Sequence, residues 1–248
     1  FVKGESFVDV AAGLFHSAAI TAKGEVVTFG CGRFGQSLSD EGNNDEVCTG
    51  RWRPDDGSRL LRVSCGRRHT SVLDDNGRVW TFGENKYGQL GRDIGEGKFD
   101  GVPRLVADSF GEKESRYLDI DSGWSHTVVR TSTGVYGWGR NDRGQLGIGS
   151  RVNLSVPTPL YENVNVQSIA CGSESTMVLN DVGTILGCGW NEHGNLALGN
   201  DADSLVLQPV TGARIVSPPL DGGDEGGHSK ENRIIMANGG AHLLAMKI

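Results

Sequence analysis

Long apolar runs are missing from the 248 residues. Nowhere does the chain approach the roughly 18–20 consecutive apolar residues that a membrane-spanning helix needs, so membrane insertion is not expected. An excess of basic residues is missing too. Lys and Arg number 24 against 31 Asp and Glu, a net charge of −7. A net acidic chain repels phosphate backbones, which argues against direct nucleic-acid binding. The cysteines (Cys31, Cys48, Cys65, Cys171 and Cys188) are odd in number and form no CxxC pair, which suits neither a disulfide framework nor a zinc finger. Reduced thiols are therefore expected, in the cytosol or nucleus, with neither metal nor cofactor. The amino end, Phe1-Val2-Lys3-Gly4, offers neither a signal peptide nor a starting methionine, so a fragment of a longer protein is expected. Proline is scarce, at 7 residues, but glycine is abundant, at 38. The glycines lack the three-residue period of collagen. Because glycine accepts positive φ, an even excess of it signals many turns between short strands.

The glycines belong to a repeat. Gly66-Arg67-Arg68-His69-Thr70 runs through Asn76-Gly77 to Phe82-Gly83, then Asn85 and Tyr87-Gly88-Gln89-Leu90-Gly91. The same frame returns at Gly123-Trp124-Ser125-His126-Thr127, Gly134, Trp138-Gly139, Asn141 and Gly144-Gln145-Leu146-Gly147. An earlier copy has Gly13, His16, Gly24, Phe29-Gly30 and Gly35-Gln36; a later one has Gly172, Thr176, Gly183, Cys188-Gly189, Asn191 and Gly194-Asn195-Leu196. A fifth opens at Gly239-Gly240-Ala241-His242. Spacing is rigid inside a copy and variable between copies, as expected for loops joining a fixed supersecondary unit. Strands are expected at Phe7–Ala12, Leu61–Cys65, Tyr117–Asp121 and Val166–Ala170, before each first glycine. Second strands follow the histidine position (Ser17–Thr21, Thr70–Leu73, Thr127–Arg130, Thr176–Leu179). Third strands follow the turn glycine (Val26–Phe29, Arg78–Phe82, Val135–Trp138, Thr184–Cys188). Asn76-Gly77 is a strong hairpin signal. Val102-Pro103, Val156-Pro157 and Gln208-Pro209-Val210 suit edge strands, where proline costs no ladder bond. Three or four short strands per unit of roughly 50 residues predict an all-β propeller.

The pattern Gly-x-x-His-(Thr/Ser), Gly-x-(Val/Leu), (Phe/Trp)-Gly-x-Asn-x-x-Gly-Gln-Leu-Gly resembles the repeat of the regulator of chromosome condensation family. The resemblance covers nearly the whole chain and implies a seven-bladed β-propeller. About four and a half blades are then expected here, as a single domain over residues 1–248. Repeats fall at about 7–60, 61–116, 117–165 and 166–233, with a partial one at 234–248. Members of the family include exchange factors for small GTPases, a plant ultraviolet photoreceptor and interaction scaffolds. Trp190-Asn191-Glu192-His193-Gly194-Asn195, with Cys171-Gly172-Ser173-Glu174, resembles the secretion-regulating exchange-factor-like branch. That resemblance implies, as one candidate partner, the small zinc protein shared by diphthamide synthesis and Elongator tRNA modification.

The candidate sites follow from what the frame leaves variable. Trp190, Glu192 and His193 lead as partner-binding candidates, with Tyr87 and Arg143 at matching turn positions. Trp124 is a candidate contact anchor on a propeller face. Photoreception needs a tryptophan cluster, and Leu14, Arg67, Ser173 and Gly240 stand at the positions equivalent to Trp124, which disfavours it. His16, His69, His126 and His242 share one repeat position, replaced by Ser175 in the fourth copy. They read as structural, a ring nitrogen tying the turn to a neighbouring backbone carbonyl. Gly35, Gly88, Gly144 and Gly194 are structural turn positions. Gly30-Cys31-Gly32-Arg33-Phe34-Gly35 spells a dinucleotide fingerprint, but no helix follows it to hold a pyrophosphate. The other copies put Asn85, Asn141 and Asn191 where Gly32 stands, which reads as a left-handed turn position. Cys65 and Cys171 share a slot with Ala12, Ser122 and Asn238, so small size, not thiol chemistry, is what the slot asks for. Arg92–Arg116 and Ser217–Arg233 read as insertions, the latter a mobile loop. Neither has the alternating apolar pattern of a hairpin that wedges into a GTPase. The expected function is a non-enzymatic scaffold presenting its loops to a regulatory protein, as a monomer. The alternative is nucleotide exchange on a small GTPase.

Overall fold

The structure, a computed structural model, describes residues 4–39, 48–93, 95, 97–106, 116–162, 164–214, 234–238 and 243–247. The expected turn at Gly239–His242 and the insertion Ser217–Arg233 lie outside them. The described residues form four antiparallel sheets of four strands and one of two. The first contains β1 (Phe7–Ala12), β2 (His16–Thr21), β3 (Val26–Gly30) and β4 (Cys48–Trp52). The second contains β5 (Leu60–Cys65), β6 (His69–Asp74), β7 (Val79–Glu84) and β8 (Phe99–Leu105). The third contains β9 (Asp119–Ser122), β10 (His126–Arg130), β11 (Gly134–Gly139) and β12 (Leu154–Glu162). The fourth contains β13 (Val166–Cys171), β14 (Ser175–Asn180), β15 (Thr184–Gly189) and β16 (Ser204–Arg214), and a pair, β17 (Ile234–Asn238) and β18 (Leu243–Lys247), follows.

In each sheet the strands stand in chain order, and their first strands β1, β5, β9, β13 and β17 lie side by side. This is a β-propeller, with the first strand of each blade around the axis and the fourth at the rim. Pro103, Pro157, Pro159 and Pro209 all sit in the rim strands, where an edge needs no amide donor. Two expectations shift. The segment read as an insertion at Arg92–Arg116 contains the rim strand β8, and β9 starts two residues later than expected. The rim strand β4 carries no proline, so nothing in its Cys-Thr-Gly-Arg-Trp sequence announced it.

The apolar core lies between blades. Ala18, Ile20, Val26 and Leu38 of the first blade meet Leu60, Val63, Cys65, Val72 and Phe82 of the second. Leu73 and Val79 of the second meet Ile120, Val129 and Trp138 of the third. Val128 and Val135 of the third meet Val166, Ile169 and Leu186 of the fourth. The second and third sheets, with a neighbour on either side, are therefore covered on both faces. At the outer face of the first blade, Val10 is 70% exposed, while its equivalents Val63, Ile120 and Ile169 are 6–7% exposed.

A polar clasp accompanies each apolar seam. His16 Nε2 bonds Thr70 Oγ1 of the next blade at 2.9 Å, and that hydroxyl donates to Gln36 O at 2.8 Å. His69, Thr127 and Gln89 repeat the arrangement at 3.0 and 3.2 Å; His126, Thr176 and Gln145 repeat it at 3.1 and 2.6 Å. The partner of the ring nitrogen is thus a hydroxyl, not the backbone carbonyl expected from sequence. Since the threonine proton goes to the carbonyl, the imidazole must donate from Nε2. Gly-x-x-His follows from the same geometry. A Cβ on Gly66 would lie 2.1 Å from the His69 ring and 2.7 Å from Gly123 O, so only glycine lets the ring fold back over the turn.

Burial pushes His16 and His126 down to about 4 and His69 to about 3, so all three are neutral near pH 7. Asp121 on β9 joins three blades. Its carboxylate accepts Ser64 Oγ–H at 3.0 Å and Cys171 N–H at 2.7 Å. Burial raises it to about 6, against these bonds, which lower it.

Two outcomes are expected. Thr127→Val removes a hydroxyl used twice and should cost about 1–3 kcal/mol in urea unfolding, whereas Thr127→Ser should retain most of the stability. The histidines, held below their ordinary 6.5, stabilise the fold fully above that pH and lose their contribution as pH falls toward about 4. Asp121 opposes them, since its protonation favours the fold as pH drops from about 6 toward its ordinary 3.8. Three groups outweigh one, so the urea midpoint should fall between pH 6.5 and 4. Asp121→Asn, which removes the opposing group, should make that fall steeper.

Candidate functional site

The strand register puts two loops of every blade at the same end. His16 pairs with Gly30 and Gly30 with Cys48. The Gly-x-x-His turn and the long connection from third to fourth strand therefore emerge together, and the β2–β3 type of hairpin lies at the other end. The two loops are tied inside each blade. Glu84 N–H donates to Arg68 O, Arg140 N–H to Ser125 O and Trp190 N–H to Glu174 O, each at 2.8 Å.

The asparagines of the long loop act through their side chains. Asn85, Asn141 and Asn191 accept from Leu90, Leu146 and Leu196 N–H at 2.8–2.9 Å and donate across the loop to carbonyls such as Arg92 O and Ser150 O. None of them has positive φ, so the left-handed reading is corrected. The position asks for an amide clamp. Gln89 and Gln145 then accept the amides of Tyr87 and Arg143 at 2.8 and 2.9 Å. Gly88 and Gly144 press on the rim strand of the next blade, where a Cβ would come within 2.7 Å of Leu154 O and of the Leu205 side chain. Gly35 meets β8 in the same way, whereas a Cβ on Gly194 would make only an ordinary contact, 3.8 Å from Asn200 O.

All six residues singled out from sequence lie at this end, but they do not converge on one pocket. Trp124, 43% exposed, stands at the mouth of the central channel beside Arg67, whose guanidinium carbon is 5.3 Å from the indole centroid. Tyr87 lies under Arg140 at 5.2 Å, and Arg140 also pairs with Glu174 and Asp142 at 2.6 Å each. Arg143 pairs with Asp203 at 3.4 Å. Trp190, Glu192 and His193 contact one another. The indole N–H donates to Glu192 at 3.1 Å, and the imidazole meets the indole edge-on at 5.2 Å. Sequence reasoning missed Arg140 and Arg67 as site residues, because their roles depend on which neighbouring blade faces them.

The fourth-blade turn departs from the others. Asn195 replaces the glutamine, is too short to reach the 193 amide, and bonds Trp190 O at 2.7 Å instead. Ala197, where Gly91 and Gly147 stand in earlier blades, is the one non-glycine residue with positive φ among the described residues, at 49°. It lines an open groove of about 650 Å³ with His193, Asn200 and Thr211. Chemistry at these positions is not supported by the thiols. Cys65 and Cys188 are pushed up to about 12 by burial, and Cys171 is raised too, so all three stay protonated. Among the described residues no His, Cys, Asp and Glu cluster could hold a metal ion, and no helix is long and apolar enough to cross a membrane.

Residues 1–245 match the RCC1-like domain. The chain belongs to the RCC1-like domain family. An RCC1-like relative, the ultraviolet-B receptor UVR8 of Arabidopsis thaliana, is 31% identical over 225 residues, which cover 86% of this chain and 49% of that one. The secretion-regulating guanine nucleotide exchange factor of Bos taurus is 32% identical over 243 residues, covering 85% and 50%. The chain thus spans about half the length of these curated relatives. Human WBSCR16 superposes with a TM-score of 0.72 at 25% identity over 83% of this chain and 55% of that one. Yeast RCC1 (Prp20) bound to Kap60 gives 0.71 at 20% identity, covering 98% and 54%, and shows the shared fold.

The RCC1-like frame makes Ala197 a strained position, since left-handed backbone costs a residue with a Cβ about 1–2 kcal/mol. Ala197→Gly should raise the stability of this turn by about 1 kcal/mol, read from urea unfolding. An unchanged or lowered midpoint would show that the methyl group makes compensating contacts.

Proposed function

We propose that this RCC1-like chain is a non-enzymatic interaction module whose loop-bearing end docks a regulatory protein. One observation carries the reading. Residues that the repeat frame leaves variable, from three successive blades, stand on one surface held by repeated backbone and amide ties, with no convergent set of catalytic groups among them. Such a surface is broad, rigid and rich in Trp, Tyr and Arg, the side chains that dominate protein interfaces. Trp190, Glu192 and His193 form its most distinctive cluster, on the turn that departs from the frame and holds the strained Ala197. A cytoplasmic or nuclear setting and a monomeric state accompany this reading, as does, more narrowly, a small zinc protein as partner.

A second reading, exchange on a small GTPase, is favoured by the relative named a secretion-regulating guanine nucleotide exchange factor. In this reading the same loops would distort a bound GTPase instead of only holding it.

The two are separated by paired measurements. Quantitative affinity purification with the chain and with a Trp190→Ala, Glu192→Ala, His193→Ala triple variant should show specific partners lost by the variant, at unchanged thermal midpoint. Capture that ignores the triple change sinks the site assignment. Faster release of labelled GDP from one member of a GTPase panel, abolished in the variant, would select the exchange reading over the scaffold.

A further inference from the structure

Arg67, on the loop-bearing end, makes no ion pair with any described residue. Its neighbours are matched. Arg68 pairs with Glu84 at 3.4 Å, Arg140 with Glu174 and Asp142, and Arg143 and Arg151 with Asp203 at 3.4 Å. The Arg67 guanidinium instead faces the indole of Trp124, 5.3 Å from the ring centroid. A guanidinium has donors only, so an acceptor from outside the chain is what it can still take.

The surroundings say what would answer it. The channel mouth is a cavity of about 270 Å³. Its rim is formed by Leu14, Arg67, Trp124 and Ser173, one residue from the same loop position of each of the first four blades. Leu14 and Trp124 are 45% and 43% exposed. The rim is rigid, because Arg67 N–H donates to Trp124 O and Trp124 N–H to Ser173 O, both at 2.9 Å. The cavity lies at the small end of the roughly 300–1,000 Å³ of ligand sites and has room for one or two side chains. A cation beside an indole and a leucine calls for a carboxylate with an apolar neighbour.

We propose that the channel mouth receives an acidic residue adjoining an apolar one, from an extended segment of a protein partner. The carboxylate pairs with Arg67, and the apolar side chain lies on Trp124 and Leu14. The assignment rests on the reading of this end as a partner surface and names the chemistry it selects. Charge complementarity supports it. On a chain of net charge −7, an unmatched arginine draws an acidic segment to one spot while the rest of the surface repels it, which fixes where the segment sits.

The test is a selection followed by titration. A phage-displayed random dodecapeptide library is panned against the immobilised chain. Enriched sequences should place Asp or Glu next to Leu, Phe or Trp. The leading peptide, fluorescein-labelled, is then titrated by anisotropy. Arg67→Gln and Trp124→Ala should each weaken binding about tenfold or more, in keeping with a desolvated charged contact. The exposed control Arg151→Gln should leave it within about twofold, and thermal midpoints should be unchanged throughout. Added salt should weaken binding of the acidic peptide to the chain. No enrichment, enrichment of sequences without acidic residues, or binding indifferent to Arg67 would each overturn the proposal. If partner capture through the Trp190 cluster persists in any of those cases, the docking function stands and only the channel-mouth assignment falls.

Discussion

The rest of the molecule depends on the histidine–threonine–carbonyl clasp between neighbouring blades. A four-stranded blade is apolar on both faces and cannot be stable alone, so its stability is a property of the seam. Hydrophobic burial supplies the driving force along that seam but is indifferent to small slips. The clasp supplies register, because one threonine hydroxyl accepts from a histidine in the preceding blade and donates to a glutamine carbonyl of that same blade. With its proton and its lone pair both committed, the hydroxyl dictates the imidazole tautomer, and burial keeps the ring uncharged. At one seam Trp138 adds its own N–H to the Gln89 carbonyl at 3.0 Å. At the next, Cys188 stands in that place, with its sulfur 3.5 Å from Gln145 O.

From the clasp the loops inherit their rigidity. The glutamine whose carbonyl closes the clasp is the same residue whose side chain holds the amide of Tyr87 or Arg143. A surface residue in one blade is thus two hydrogen bonds away from a threonine in the next blade and three from a histidine in its own. Where the frame is followed, variation is confined to side chains that point outward. In the fourth blade the frame itself changes, at Ser175, Cys188, Asn195 and Ala197, and the changes lie around the turn that carries Trp190, Glu192 and His193. A natural chain breaks its own local rules chiefly where function asks for it, which is why that turn ranks first among the candidate contacts.

The fixed glycines and the short apolar segments around them are local features, so most strand positions were legible from the residues alone. Bonds between blades were less so. His69 and Thr127 are each recognisable as repeat positions, but that one ring serves the other's hydroxyl depends on how two sheets pack. The asparagines show the same limit. Asn85 and Gly32 occupy equivalent sites, and backbone tolerance is the simplest property they share. Only the loop geometry reveals that Asn85 is there for its amide. β4 escaped notice because the other rim strands are marked by proline and it is not. Arg67 escaped because the absence of an ion pair is a statement about every described neighbour.

Electrostatics and rigidity meet at the channel. The loop-bearing end is close to balanced, since its arginines are matched by Glu84, Glu174, Asp142 and Asp203 within the chain. A balanced surface discriminates poorly by long-range attraction, so selectivity has to come from the few groups left over. Arg67 is such a group, and it sits where backbone bonds from three blades hold the rim in place. A partner segment meeting it need not induce any rearrangement, and the ordering cost of the receiving side has already been met in folding. A propeller offers this combination more readily than a surface loop does. Four successive blades each contribute one residue to the mouth, and the backbones of Arg67 and Trp124 are fixed by the blade that follows, apart from the clasp beneath.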